Sequence, residues 1–398
     1  MNNLTPKLAS QLADFAYSTR LQTSFNILGI DTEISSYIAK YFDFDTQKNT
    51  INGVSGGAIC RALNLESGFV YIGTGKGAYS KDIVITFRGT DNRLRDGITD
   101  ASISTMTADN QAAAHMGFVR TFDSIKPKLK LAINELIKQG NTGTIHCVGH
   151  SLGGALAHLC AVWVKAGFSE RRACLYTFGA PRVGRKDFAI KSTTAIDEIF
   201  RCIHNTDPVP MIPIWPFYHA PYKGKEYVLS NSGGLIEFSA HRMPEEGNPG
   251  YINSANTESW NDLKIVSDNY MDSNLVLFYK DRLTSTFNNI TFKKLTAALL
   301  TLLKATAIGT TVLALSPGAM GLSKFVDILA QTLSKIAKLS SSLYEQVKGF
   351  LGHLLCFCGS HAASLQFEIT HDFVKQALST MVKKINQAAA LALDSNRI

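Results

Sequence analysis

Four absences bound this 398-residue chain. It carries few charged residues, 18% against 45% apolar, and that balance excludes a disordered or low-complexity chain and predicts a globular one with a sizeable core. It has no basic patch interleaved with aromatics and no nucleic-acid motif, so nucleic acid is not an expected partner. Its first ten residues, MNNLTPKLAS, show no charged region followed by an apolar core, which excludes a secretory signal peptide in this reading. The seven cysteines (60, 147, 160, 174, 202, 356 and 358) are odd in number and lie mostly in apolar runs. They predict buried free thiols rather than a disulfide framework, and the Cys356-x-Cys358 pair is too isolated for a metal site. Together these features predict a protein that is cytoplasmic where it is made, or that leaves by a route needing no signal, and that uses neither metal nor organic cofactor.

What is present centres on Gly149-His150-Ser151-Leu152-Gly153-Gly154. A short apolar run, 144–148, reads as a buried strand before it, and 155–164 reads as a helix after it. A serine between such elements sits on the strand-to-helix turn of a nucleophile elbow. Glycines two residues to either side remove the side chains that would collide where strand and helix meet. The helix N-terminus then aims the Leu152 N–H at charge forming beside Ser151.

Taken in order, 5–42 reads as helical, and 68–72 and 82–87 as strands, the second a continuous apolar run suited to the centre of a parallel sheet. It ends in Arg88-Gly89-Thr90-Asp91, where Thr90 is placed to offer a second oxyanion donor. Residues 91–114 show no strand pattern and are long for a plain connection, as lids are. A helix is expected over 118–139, strands at 173–178, 198–203 and 226–229, and a strand-like run at 234–238. Asp207 follows the strand ending at 203, where catalytic groups gather in parallel sheets, and a Ser-acid-His order calls for a carboxylate there. Of the histidines after it, His241, in the loop beyond the last strand-like run, is the expected base, and His219 stands as the alternative.

These residues resemble the class-3, or fungal-type, lipases. Thr86–Asp91, His115–Phe118, Gly149–Gly154, Thr177–Gly184 and Asn205–Pro210 match that family's motifs in order, over roughly residues 60–270. The resemblance implies a doubly wound, mostly parallel α/β-hydrolase sheet, with Ser151 as nucleophile, Asp207 as acid, Thr90 and Leu152 as oxyanion hole, and a lid between Asp91 and His115. Two departures stand out: the Asp207–His241 interval is shorter than in fungal members, and the lid segment lacks their common tryptophan.

The resemblance leaves 285–398 unexplained, so the expected division is a hydrolase domain over 1–284 and an all-helical C-terminal domain over 285–398. The tail carries 11 Lys/Arg against 5 Asp/Glu, whereas the rest is near balance at 29 against 27, so the net charge of +8 sits mainly in the tail. Its apolar run from Leu295 to Leu315 is long enough to span a bilayer, though Lys304 near the middle costs roughly 2.5–3.5 kcal/mol. Two further apolar patterns, 322–351 and 374–385, keep helical spacing. A bundle, a membrane-docking module and a partner-binding module all fit. The expected activity is acyl-ester hydrolysis of lipids, of lipase or phospholipase A type, through an acyl-enzyme on Ser151, at a lipid or membrane surface. Class-3 lipases with helical extensions and no signal peptide look like antibacterial effectors delivered by type VI secretion, which implies a delivery or immunity protein bound through the tail. The alternatives are a membrane-perturbing or partner-binding effector dominated by the tail, and a simple intracellular esterase.

Overall fold

The computed structural model describes residues 2–17, 32–44, 50–54, 66–89, 104–230, 234–244, 250–267, 274–314, 321–360 and 367–395. Helix α1 (Pro6–Phe15) starts at Thr5, whose hydroxyl accepts the Leu8 N–H, with proline at the first helical position. Helix α2 (Thr32–Ala39) and strands β1 (Phe42–Asp43), β2 (Thr50–Val54), β3 (Glu66–Gly75) and β4 (Ile83–Phe87) follow. Strands β5 (Thr105–Thr107) and β6 (Ala113–His115) pair as a small hairpin where the sequence shows no strand pattern; three-residue strands are too short to display a period. The rest of the expected lid, 91–103, lies outside the described residues, as does Thr90.

Then come α3 (Met116–Lys138), β7 (Ile145–His150), α4 (Leu152–Gly167), β8 (Ala173–Phe178), α5 (Lys186–Ala195), β9 (Glu198–His204), β10 (Lys225–Ser230), α6 (Tyr251–Ser254) and β11 (Ile265–Ser267). The strand-like run at 234–238 pairs with no strand of the sheet; it leads into a 3-10 turn, Phe238–His241.

The sheet runs β1-β3-β4-β7-β8-β9-β10-β11, with β2 also on β3. Its centre, β4 through β10, is parallel, and antiparallel strands flank it on both sides. Every residue of β4, β7 and β8 is buried, as a sheet covered on both faces requires. Alternate side chains divide between two cores. Ile83, Ile85, Ile145, Cys147 and Leu175 face α3 and α4, while Val84, Val148, Cys174 and Tyr176 face α1 and Tyr251. This is the doubly wound α/β arrangement, with a helical C-terminal region beyond it.

That region comprises α7 (Asn289–Lys304), α8 (Ala307–Ala314), α9 (Leu322–Ala337), α10 (Ser341–Phe357) and α11 (His371–Ser395). The run that looked long enough to span a bilayer is two helices, because α7 ends at Lys304 and the chain turns before α8. No helix among the described residues is long and apolar enough to cross a membrane. The 322–351 pattern is likewise cut in two, at Ser340, whose hydroxyl accepts the Leu343 N–H and so caps α10. Phe292, Leu299, Leu333 and Val382 belong to the same buried apolar cluster as the α3–α4 face of the sheet. Contact is direct: the Trp215 and Phe325 rings lie 5.3 Å apart, and the Arg182 guanidinium sits over Phe292 at 5.1 Å.

Candidate active site

Ser151 stands between β7 and α4 with φ 57° and ψ −133°, a conformation costly for a residue with a Cβ. The chain can hold it only because its neighbours lack side chains. A Cβ on Gly149 would sit 2.3 Å from the Gly153 carbonyl oxygen, and one on Gly153 would sit 2.1 Å from that of Phe87. The Ser151 N–H donates to Phe178 O at 2.9 Å, which fixes the turn against β8. Leu152 is the first residue of α4, where the N–H has no partner within the helix.

Two loops meet Ser151. His241, the last residue of the 3-10 turn, places Nε2 2.8 Å from Ser151 Oγ and Nδ1 2.8 Å from Asp207 Oδ2. With Nδ1–H donating to the carboxylate, Nε2 is left to accept the serine proton. Asp207 follows β9, as the sequence placed it, and its carboxylate accepts twice more: Oδ1 from the Val209 N–H at 2.9 Å and Oδ2 from the Tyr251 hydroxyl at 2.7 Å. Burial and then the Asp207 charge push the Tyr251 hydroxyl well above its ordinary pKa, so it stays a donor. Ser151, Asp207 and His241 are all buried.

The structure places His219 elsewhere. Its Nε2 donates to Pro210 O at 2.9 Å. Burial, then Arg201 and Arg182, hold its pKa well below the usual value, an environment hostile to the imidazolium a general base becomes.

Several contributors to the site carry no sequence signal. His150 Nε2–H donates to the His241 carbonyl at 2.7 Å, and the Tyr17 hydroxyl meets its Nδ1 at 2.8 Å. His204 Nδ1–H donates to the next carbonyl upstream, Ala240 O, at 2.6 Å, and its ring stacks on Tyr251 at 4.0 Å. Burial lowers both imidazoles, so each is neutral and donates from one nitrogen only. Two neutral histidines thus grip the backbone of the turn carrying His241. His204 precedes Asp207 in the chain, so a Ser-acid-His order gives it no part as base. Tyr251 is 44 residues from the carboxylate it touches, beyond the reach of any local motif. Gly179, within the matched Thr177–Gly184 stretch, adopts φ +56°, and a Cβ there would lie 2.6 Å from Asp207 Oδ2.

Comparison with known proteins locates the likeness. Residues 84–217 match the family model for lipase, class 3. Secreted mono- and diacylglycerol lipase 1 of Fusarium solani is 36% identical over 149 residues, covering 35% of this chain and 44% of that protein. A lipase of Rhizomucor miehei is 30% identical over 164 residues, covering 39% and 44%. The chain thus spans less than half the length of these relatives. The lipase structure from Rhizopus microsporus var. chinensis has a TM-score of 0.44 at 21% identity, covering 56% of this chain and 72% of that one.

One expectation is corrected here. The sequence pointed to a protein without a signal peptide, cytoplasmic where it is made or leaving by a route that needs no signal, whereas the Fusarium solani relative and another from Gibberella zeae are named as secreted. The physical reason lies in the thiols. Cys147, Cys160, Cys174, Cys202 and Cys356 are unpaired and buried, so they act as small apolar core residues. Thiols used in that way carry no information about the redox state outside.

Proposed function

We propose that this chain, whose residues 84–217 match the family model for lipase, class 3, is a serine carboxylic-ester hydrolase of acyl lipids. The observation that carries the reading is the relay Ser151 Oγ, His241 and Asp207, with both links at 2.8 Å, on a strained elbow at the N-terminus of α4. Ser151 Oγ attacks the acyl carbonyl as His241 Nε2 takes its proton. Asp207 keeps Nδ1–H directed at itself and offsets the imidazolium charge. The Leu152 N–H receives the developing oxyanion, with Thr90 as the proposed second donor. The protonated Nε2 then gives its proton to the leaving alcohol. Water, activated by the same nitrogen, releases the acyl group from Ser151. No step calls on a metal or cofactor.

A lipid substrate is supported by exposed apolar side chains on the segments around the relay. Leu235 and Phe238 flank the path to His241, and Ile290 lies beside the acid loop. Exposed apolar side chains beside the relay suit an aggregated apolar substrate. The secreted relatives support action outside the cell. The basic tail supports docking at an anionic lipid surface.

Purified wild type should hydrolyse emulsified diacylglycerol or phospholipid vesicles faster than short soluble esters. Ser151→Ala and His241→Ala should each lower kcat by roughly 10⁴–10⁶-fold with the fold intact, and His219→Ala should leave kcat within about threefold. Near-normal turnover in Ser151→Ala sinks the assignment, and equal loss in His219→Ala sinks the choice of base.

A further inference from the structure

The entry to the helical region touches both loops of the proposed relay. Asn289, the first residue of α7, is buried, and its side-chain amide faces a row of carbonyl oxygens in the acid loop. Nδ2 lies 2.6 Å from Asp207 O, 3.1 Å from Asn205 O and 3.5 Å from His204 O. The backbone adds two donors to the same loop: the Asn289 N–H donates to Asn205 O at 3.1 Å and the Ile290 N–H to Asn205 Oδ1 at 3.2 Å. A primary amide has two N–H donors, and here both are directed at one loop. That pattern fixes a loop rather than merely capping a helix, a task Asn288 already performs by accepting the Thr291 N–H.

The same stretch holds the segment leading to His241. The Ile236 N–H donates to Phe287 O at 2.9 Å, and Asn288 Nδ2 donates to Gly234 O at 3.3 Å. The two loops are also tied to each other, through the Glu237 N–H and Thr206 O at 3.1 Å. Residues 287–290 therefore brace the loop of the acid and the approach to the base from one side.

We infer that Asn289 is a positioning residue for Asp207, and that the helical region is thereby a working part of the hydrolase and not an appendage. The inference rests on the proposed Ser151–His241–Asp207 relay. Asn289 touches no reacting atom; it acts by setting the main chain from which the Asp207 carboxylate projects. A carboxylate displaced by about 1 Å costs on the order of 10²-fold in rate, because His241 loses its orientation.

The test uses the full chain. Asn289→Ala should lower kcat about 30- to 100-fold on the best lipid substrate and leave KM within about twofold, because substrate contacts are untouched. Leu333→Ala, a buried truncation in α9 away from the two loops, serves as the control: it should lower Tm and leave kcat within about threefold. If Asn289→Ala does not fold, Asn205→Ala, which removes the acceptor of the Ile290 N–H, should show the same kcat-over-KM split at smaller amplitude. Unchanged kcat in a folded Asn289→Ala, or in Asn205→Ala where that is the variant measured, overturns the inference. So does an equal kcat loss in Leu333→Ala. Near-normal turnover in Ser151→Ala would instead remove the hydrolase reading itself, and it is scored separately.

Discussion

Gly179 shows how little freedom single positions around the relay possess. It sits at φ +56° with the Asp207 carboxylate and the Tyr251 ring packed where a side chain would go. Gly179→Ala therefore combines backbone strain with displacement of the acid. We expect kcat to fall on the order of 10²-fold with KM little changed. Steady-state kinetics beside a circular dichroism melt will check this, and a folded, fully active Gly179→Ala would show that Asp207 tolerates the shift. The proposed roles of Ser151 and Asp207 are legible in the sequence because such roles impose local patterns: an elbow needs flanking glycines, and an acid follows a strand end. Tyr251, His150 and His204 are not legible. Each acts through hydrogen bonds across the fold, and such bonds impose no spacing on the chain.

At the scale of elements, the joint between sheet and tail is charged as well as apolar. Glu226 on β10 bonds both Arg201 on β9 and Lys293 on α7, and all three are buried. Burial and then the neighbouring Arg201 press the Lys293 pKa well below its ordinary value, so the cation depends on the Glu226 carboxylate. Glu226→Gln strands two buried cations and should destabilise the protein by about 3–5 kcal/mol, read from urea unfolding. A change below about 1 kcal/mol would mean that Lys293 sheds its proton at little cost. Element boundaries in the tail were only partly legible. Helical periodicity continues across Lys304–Ala307 and across Ser340, and only the turn and the cap, visible in three dimensions, divide those runs.

For the molecule as a whole, the buried imidazoles set the response to acid. His158 on α4 is buried against Phe188, with ring centroids 5.0 Å apart, and burial drops its pKa to about 3 from an ordinary 6.5. Its folded pKa lies below the unfolded one, so the folded state favours the neutral ring. That contribution is complete above about pH 6.5 and is lost as pH falls toward about 3. His146, His150, His204 and His219 are lowered by burial in the same sense. Stability should therefore fall on acidification below pH 6.5, with His158 alone costing on the order of 3 kcal/mol by pH 4. His158→Leu should flatten the Tm-against-pH curve over that window. A curve parallel to wild type would show that His158 is solvated when the protein is acidified.

The sequence by itself pointed to the proposed class of chemistry and to Ser151 as its proposed nucleophile. Backbone strain at an elbow, burial of a parallel strand and the order of triad members all write themselves into neighbouring residues. It also determined that a basic, apolar helical region follows. Only the tertiary structure decided which histidine faces Ser151, because His219 and His241 both follow the acid and differ in what surrounds them rather than in local sequence. It decided, too, that the helical region packs into the core of the sheet and reaches the acid loop through Asn289. Such contacts join residues about 80 positions apart, and chain folding alone brings them within 2.6 Å.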